Sequence, residues 1–293
     1  MGLLSDLYTN SERAVLREYA TNAWDAHVEI GNAAPIEIQL PNKLDPVLRN
    51  IDHGPGLSWE DMKTVYTQYG ASTKRESDDY VGILGVGSKA AVTYTKQYTI
   101  RSVKNGIRCV LSISRSNEGI SMTKVEQVVC DDPSGVQIII PAREENNFAA
   151  EAADLFQYWP EGSILVDGQF PKRFEGKEIA PDVFLVPGDQ YKSQSVVVMG
   201  NVPYPVTLEQ LGLTFGNGYG THAVVAYVPM GAVEFMNHRE ALDPTSRTKA
   251  ALADIGQTFL ADLVIGAQDE IDHSLNRIDA LRTYLRLRDE LPH

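Results

Sequence analysis

The stretch Ser11–Ile30 (SERAVLREYATNAWDAHVEI) constrains this chain more than any other. Its spacing predicts one helix, on which Glu18, Asn22 and Asp25 fall three or four residues apart and share a face. Ala14, Leu16, Ala20 and Ala23 suit the packed sides. A carboxylate one turn from a carboxamide can set a general base beside a metal ligand. Glu18 would take a proton from water, and the Asn22 side-chain oxygen is the hard neutral donor that magnesium accepts next to phosphates. Taken alone, the row reads more readily as the solvated stripe of an amphipathic helix. The downstream sequence argues against that.

Pro35–Leu40 alternates as a half-buried strand does, and Val47–Asp52 is a second strand that delivers Asp52 to its end. HGPGLS is then a tight turn, and Ser58 with Asp61 forms a capping-box pattern for a short helix. Tyr69–Val81 is polar and lacks periodicity, so it reads as a loop. GILGVGSKAAVTY is a glycine-rich turn opening a helix. Strands are expected at Gln97–Val103, Ile107–Ser114, Ile120–Val129 and Val136–Ile140. With the first helices they make an α+β fold, a two-layer α/β sandwich. A helix at Glu144–Ala153 marks a junction, giving domains 1–145 and 146–293. In the second, strands are expected at Ser163–Val166, Val183–Val186, Ser195–Met199 and His222–Val228. Asp243-Pro244 should start a helix in which Leu252, Ile255, Phe259 and Leu263 keep helical spacing. Ile271, Leu275, Ile278 and Leu285 continue that spacing after a break at Gly266.

The 293 residues suffice for two domains. No unbroken run of about 18 apolar residues suggests a membrane-spanning helix, and MGLLSDLYTN lacks the basic and apolar regions of a signal peptide. Cys109 and Cys130 fall in strand-like segments without metal spacing, so a reduced, cytoplasmic setting is expected. A net charge of −13 disfavours bulk nucleic-acid binding, although Arg and Lys cluster at residues 239–249 and 277–288. Peripheral membrane association and an unidentified protein partner stay open.

Four pieces thus stand in order: the Glu–Asn–Asp helix, a strand ending in Asp52-x-Gly54-x-Gly56, a polar loop, and Gly82-x-x-Gly85-Val86-Gly87-Ser88-Lys89. Each has a use in holding ATP. Asp52 can accept from the adenine amino group, and Gly54 and Gly56 let the base approach the backbone. Gly82, Gly85 and Gly87 free backbone amides to line a phosphate, and Ser88-Lys89 starts a helix whose positive end faces it. The Walker pattern is absent, and the glycine-rich turn does not follow the first strand, which argues against a dinucleotide fold.

REYATNAWDAH, DHGPGLS and GILGVGSKAA resemble the N, first-glycine and second-glycine boxes of the GHKL ATPases. That superfamily includes gyrase, the ninety-kilodalton heat-shock chaperone, histidine kinases and MutL. The segments SDLYTNSERAVLREYATNAWDAH and YGASTKRESDDYVGILGVGSKAAVTYT are more similar still to phage rapid-lysis rIIA-like proteins. The resemblance implies a Bergerat-type ATPase domain followed by a transducer-like α/β domain with long C-terminal helices. It implies ATP and Mg2+ as ligands, Glu18 as base, Asn22 as metal ligand, Asp25 on the same face, and Asp52 as adenine reader. Gly82–Lys89 would be the phosphate clamp and lid hinge, and Lys74 the lid lysine. Two features depart from the pattern. The superfamily's later Gly-Thr appears as Ser134-Gly135-Val136, so Ser134 would have to supply the hydroxyl. The short segment before the catalytic helix leaves nucleotide-induced homodimerisation by strand exchange without its usual strand. FMNHREAL (Phe235–Leu242) resembles the chaperone loop whose arginine reaches the γ-phosphate, which would make Arg239 catalytic. His27, His53, His222 and His238 lack metal spacing and are expected to be ordinary residues. The implied function is a slow ATPase and conformational switch. A DNA-acting machine of topoisomerase or MutL type and a non-hydrolysing ATP-binding module are the rivals.

Overall fold

The computed structural model describes residues 8–67, 90–116, 119–187, 194–214, 222–236 and 238–290. The chain divides into two compact units, Met1–Arg173 and Phe174–His293.

The first unit is built on a seven-stranded sheet of order β5-β4-β3-β6-β2-β1-β7. Its strands are β1 (Ile36–Gln39), β2 (Val47–Ile51), β3 (Gln97–Lys104), β4 (Ile107–Ser116), β5 (Gly119–Val129), β6 (Gly135–Pro141) and β7 (Ile164–Val166). Its helices are α1 (Ser11–Ile30), α2 (Trp59–Thr67), α3 (Ala91–Tyr94) and α4 (Phe148–Phe156). Leu16 and Tyr19 of α1, Ile38, Leu48, Ile100 and Ile138 of the strands, and Phe156 join one buried cluster. Burying such side chains contributes about 1.5–3 kcal/mol each. The expected two-layer α/β sandwich is therefore present.

Helix α1 has the expected bounds because both ends are chemically marked. The Asn10 side chain accepts from the Arg13 amide, and Gly31 closes the helix at φ 66°. It is not an amphipathic surface helix: Glu18 is 3% exposed and Asp25 1%. At α2, Ser58 Oγ accepts from the Asp61 amide at 3.2 Å and Asp61 Oδ2 accepts from the Ser58 amide at 2.9 Å, the expected reciprocal cap. Lys104 of β3, 2.7 Å away, and the Ser58 donors hold the Asp61 carboxyl down to about 2.

The boundary expected at residue 145 moves, because α4 and β7 complete the first core. β7 pairs parallel with β1, Ile164 opposite Ile36. Phe148, Phe156 and Trp159 are buried in the same cluster, and Arg13 of α1 pairs with Glu151 and Asp154 of α4. α4 also begins four residues later than the helix expected at Glu144. Arg143 is held instead by Tyr94, whose hydroxyl accepts from its amide at 2.8 Å.

The second unit carries a five-stranded sheet of order β11-β10-β12-β9-β8. The strands are β8 (Lys177–Ala180), β9 (Val183–Pro187), β10 (Ser195–Met199), β11 (Val202–Val206) and β12 (His222–Val228). None of the expected strands covers β11, sequence VPYPV, whose two prolines cannot donate to a ladder. It lies at the sheet edge, opposite β10 alone, and Pro203 and Pro205 share one parity, so their missing N–H groups fall on the unpaired side.

Helix α5 (Ser246–Asp272) starts three residues after Asp243, with Thr245 as its cap, its side chain accepting from the Thr248 amide. It runs through Gly266 without a break. Thr248, Leu252, Gly256, Phe259 and Leu263 form its buried stripe. Gly256 is where the helix crosses the 3-10 turn Glu209–Leu211: an added Cβ would lie 1.7 Å from the Leu211 carbonyl oxygen. By length and composition α5 could cross a bilayer, which a search for unbroken apolar runs misses because Asp254 and Asp262 interrupt it. Helix α6 (Arg277–Glu290) carries Ile278 and Leu285 exposed, and Leu275 lies in the connection, 94% exposed. Helical spacing there does not mark a buried face.

Gly56 shows how closely the elements around the DxGxG turn approach. Its φ is 72°, and an added Cβ would stand 1.9 Å from the Val103 carbonyl oxygen of β3. Gly56→Ala is therefore expected to cost at least about 2 kcal/mol of stability, from the left-handed backbone and the clash together. Urea unfolding reads this directly, and an unchanged midpoint would refute it.

Candidate functional site

The site grows from the end of β2. The Asp52 amide donates to the Val136 carbonyl at 2.9 Å, extending the β2–β6 ladder by one residue. Asp52 Oδ1 then accepts from the Gly54 amide at 2.9 Å and the Val136 amide at 3.1 Å. Two backbone donors on one oxygen fix the carboxylate, 7% exposed, in a single orientation.

Protein packing alone already requires these glycines. A Cβ at Gly54 would meet the Ala26 Cβ of α1 at 2.7 Å, and one at Gly135 would meet the Asp52 carbonyl oxygen at 2.2 Å. With Gly56 against β3, all three let protein elements approach one another. Val136 serves Asp52 through its backbone amide, a contact that needs no hydroxyl, while Ser134 is exposed.

On α1, Glu18 is buried against its neighbour in sequence. Arg17 Nε and a terminal nitrogen lie 3.0 and 2.9 Å from Glu18 Oε1, and Arg17 is itself 3% exposed. The Arg17 guanidinium also stands 5.7 Å from the Tyr8 ring centre. Each charge compensates the burial of the other. Sequence reading missed Arg17, since adjacent helical residues are not expected to face each other. Asn22 is half-buried and Asp25 buried on the same helix.

His27, taken from sequence as an ordinary residue, is 1% exposed. Its Nε2 accepts from the His53 amide at 2.7 Å and its Nδ1 lies 2.9 Å from the Ala34 carbonyl oxygen. Burial and the nearby His53 push its pKa below the ordinary imidazole value, against the Ala34 hydrogen bond. No spacing signal marks it. Asn32, just past the helix, donates to the His53 carbonyl at 3.0 Å.

The expected lid and clamp residues Lys74, Gly82, Gly85, Val86, Gly87, Ser88 and Lys89 lie outside the described residues. Arg239 belongs to the second unit and is 5% exposed. It sits in the Phe235–Leu242 turn at φ 55°, its guanidinium 5.2 Å from the Phe235 ring centre. A left-handed arginine is a backbone cost that local structure must offset. Among the described residues no group of three or more His, Cys, Asp or Glu could hold a metal ion by itself.

Residues 8–136 match the family described as Histidine kinase-, DNA gyrase B-, and HSP90-like ATPase. The first unit thus carries a GHKL-type ATPase domain. The fold of the chain is similar to the ATPase region of Saccharomyces cerevisiae topoisomerase II bound to ICRF-187 (dexrazoxane), with TM-score 0.61 and 11% identity. That likeness covers 87% of this chain and 85% of the other. A second structure of the same yeast region gives TM-score 0.59 at 10% identity, covering 85% of each chain. At such identity the likeness shows the fold. No curated protein matches the sequence.

Proposed function

We propose that the first unit binds ATP with magnesium and hydrolyses it slowly, and that the whole chain is a nucleotide-driven conformational switch. The observation that carries this reading is Asp52, a strand-end carboxylate with Oδ1 anchored by two backbone amides beside α1. Its Oδ2 is the oxygen that would accept from the adenine amino group. Glu18, on the same helix as Asn22, would take the proton from the attacking water. Asn22 would hold the metal: a carboxamide oxygen on a helix bearing two buried carboxylates suits a hard divalent ion, with phosphate oxygens completing the shell. The ion, when bound, neutralises charge on the transferring phosphoryl group. Lys74 and Gly82–Lys89 are proposed for the phosphates.

Arg239 is proposed as the cation that senses the γ-phosphate, with closure and self-association as the output. Arg239→Ala should keep ADP affinity within about threefold and lose most ATP hydrolysis, because ADP lacks the group being sensed. Normal hydrolysis by that variant would remove the second unit from the mechanism. The general test is magnesium-dependent ATP binding by calorimetry together with phosphate release; absence of both refutes the reading.

The finer kinship we infer is with phage rapid-lysis rIIA-like proteins, supported by the two segments around α1 and the glycine-rich turn. A DNA-acting machine is the second reading, favoured by the fold likeness that spans both units. The charge of −13 weighs against it. A DNA-shift assay at low and moderate salt separates the two.

A further inference from the structure

The residue after the proposed adenine reader is held by its backbone on both sides. His27 Nε2 accepts from the His53 amide at 2.7 Å, and Asn32 Nδ2 donates to the His53 carbonyl at 3.0 Å. Both arms come from the end of α1. Gly31 turns the chain at φ 66°, so that Asn32 follows His27 closely, its amide donating to the His27 carbonyl at 2.9 Å. The Asn32 carboxamide is itself fixed, its Oδ1 accepting from the Ala34 amide at 3.0 Å. One residue further on, Gly54 packs on Ala26 and gives its amide to Asp52 Oδ1. The end of α1 and the residue just past its cap therefore hold His53 at two points and Gly54 at a third.

The chemistry of the clamp requires one protonation state. A carbonyl oxygen only accepts, so Nδ1 facing Ala34 carries the proton, and Nε2 facing the His53 amide carries the lone pair. This is a neutral imidazole in a single tautomer. A second proton would place N–H against N–H at a site 1% exposed, and one of the two must move.

We propose that His27 is a positioning residue for nucleotide: neutral, it holds the Asp52–Gly54 turn in its binding geometry, and protonated, it releases the turn, so that nucleotide affinity falls on acidification. This rests on the reading of Asp52 as the adenine contact.

Burial is the largest effect disfavouring the charged form, and the facing His53 adds to it. The titratable groups facing His27 from packed elements are His53, ring centres 6.1 Å apart, and through it Glu37 of β1, 3.1 Å from His53 Nε2. The sign follows. The unfolded chain takes up a proton near the ordinary value of about 6.5, above the folded value, so it binds more protons between the two. The clamp's contribution is complete above the unfolded value and is lost as pH falls through the lowered folded one.

The test measures binding of ADP with magnesium between about pH 5 and pH 8 in the wild type, His27→Gln, His27→Leu and Asn32→Ala. Glutamine can offer its Oε1 to the His53 amide but does not titrate. The ligand's own phosphate titration is common to all four proteins and cancels in the comparison. Relative to His27→Gln, wild-type affinity should fall roughly three- to tenfold at the acid end, the worth of one hydrogen bond. His27→Leu should bind roughly three- to tenfold more weakly at neutral pH and, like His27→Gln, lack the extra acid loss. Asn32→Ala should weaken binding and keep the wild-type pH dependence. Parallel wild-type and His27→Gln profiles would overturn the proposal even though nucleotide binds. Nitrogen-15 imidazole shifts of His27 read the clamp without nucleotide. A protonated Nδ1 in the neutral form and a lowered pKa support it, whereas the opposite tautomer or an ordinary pKa overturns it. Should the wild type bind no nucleotide at any pH, the Asp52 reading fails, and the nitrogen shifts still decide whether the clamp exists.

Discussion

Glu18→Gln should reduce phosphate release at least about 100-fold while leaving ATP binding within about threefold of the wild type. General-base catalysis by a positioned side chain is worth about 10²–10⁴-fold, and it acts on water in the transition state rather than on the bound ground state. The structure dictates the choice of glutamine. Arg17 is buried with Glu18 as its counter-charge at 2.9 Å. Either variant removes that charge, but alanine would also remove the oxygen that accepts from the guanidinium and leave a gap at a buried position, at a cost of about 3–5 kcal/mol of stability that confounds activity with folding. Glutamine keeps an oxygen for the guanidinium but has no basicity. Phosphate release and calorimetric affinity, measured on the same preparation, separate the two effects. Wild-type turnover by Glu18→Gln would send the search for the base elsewhere.

Asp52→Asn should weaken ATP binding roughly 10- to 100-fold, matching the 1.5–3 kcal/mol of a hydrogen bond to a charged group. The fold should survive. The asparagine carbonyl oxygen can still accept from the Gly54 and Val136 amides, which are the structural contacts of Oδ1. What changes is the other end of the side chain, where an amide donor would face the adenine amino donor. A guanine nucleotide, which offers an acceptor at that position, should lose less or gain. The comparison is made by calorimetry with an unfolding midpoint as control. An unchanged ATP affinity in a folded variant would remove Asp52 from the site.

Much of the first unit was legible because its signals are local. Asn10, Gly31 and the 3.6-residue period bound α1 at Ser11 and Ile30. The Ser58–Asp61 cap placed α2, and alternation placed β3 and β4 to within one or two residues. Where a signal was tertiary, the same reading slipped. β11 holds two prolines that only an edge position permits. β7 and α4 were assigned past the domain boundary, although their side chains and pairing close the first core.

The sequence by itself determined the order of the elements and the chemistry carried on them. Caps, turns and periodicity act over a few residues, so Glu18, Asn22 and Asp52 could be chosen before any contact was known. Only the tertiary structure decided what each residue faces. Gly54, Gly56 and Gly135 are glycines because Ala26, Val103 and Asp52 occupy the space a side chain would need. His27 matters because the His53 amide, 26 positions away in the chain, comes within 2.7 Å of its ring. Such pairings join residues far apart in sequence through packing that no local pattern encodes.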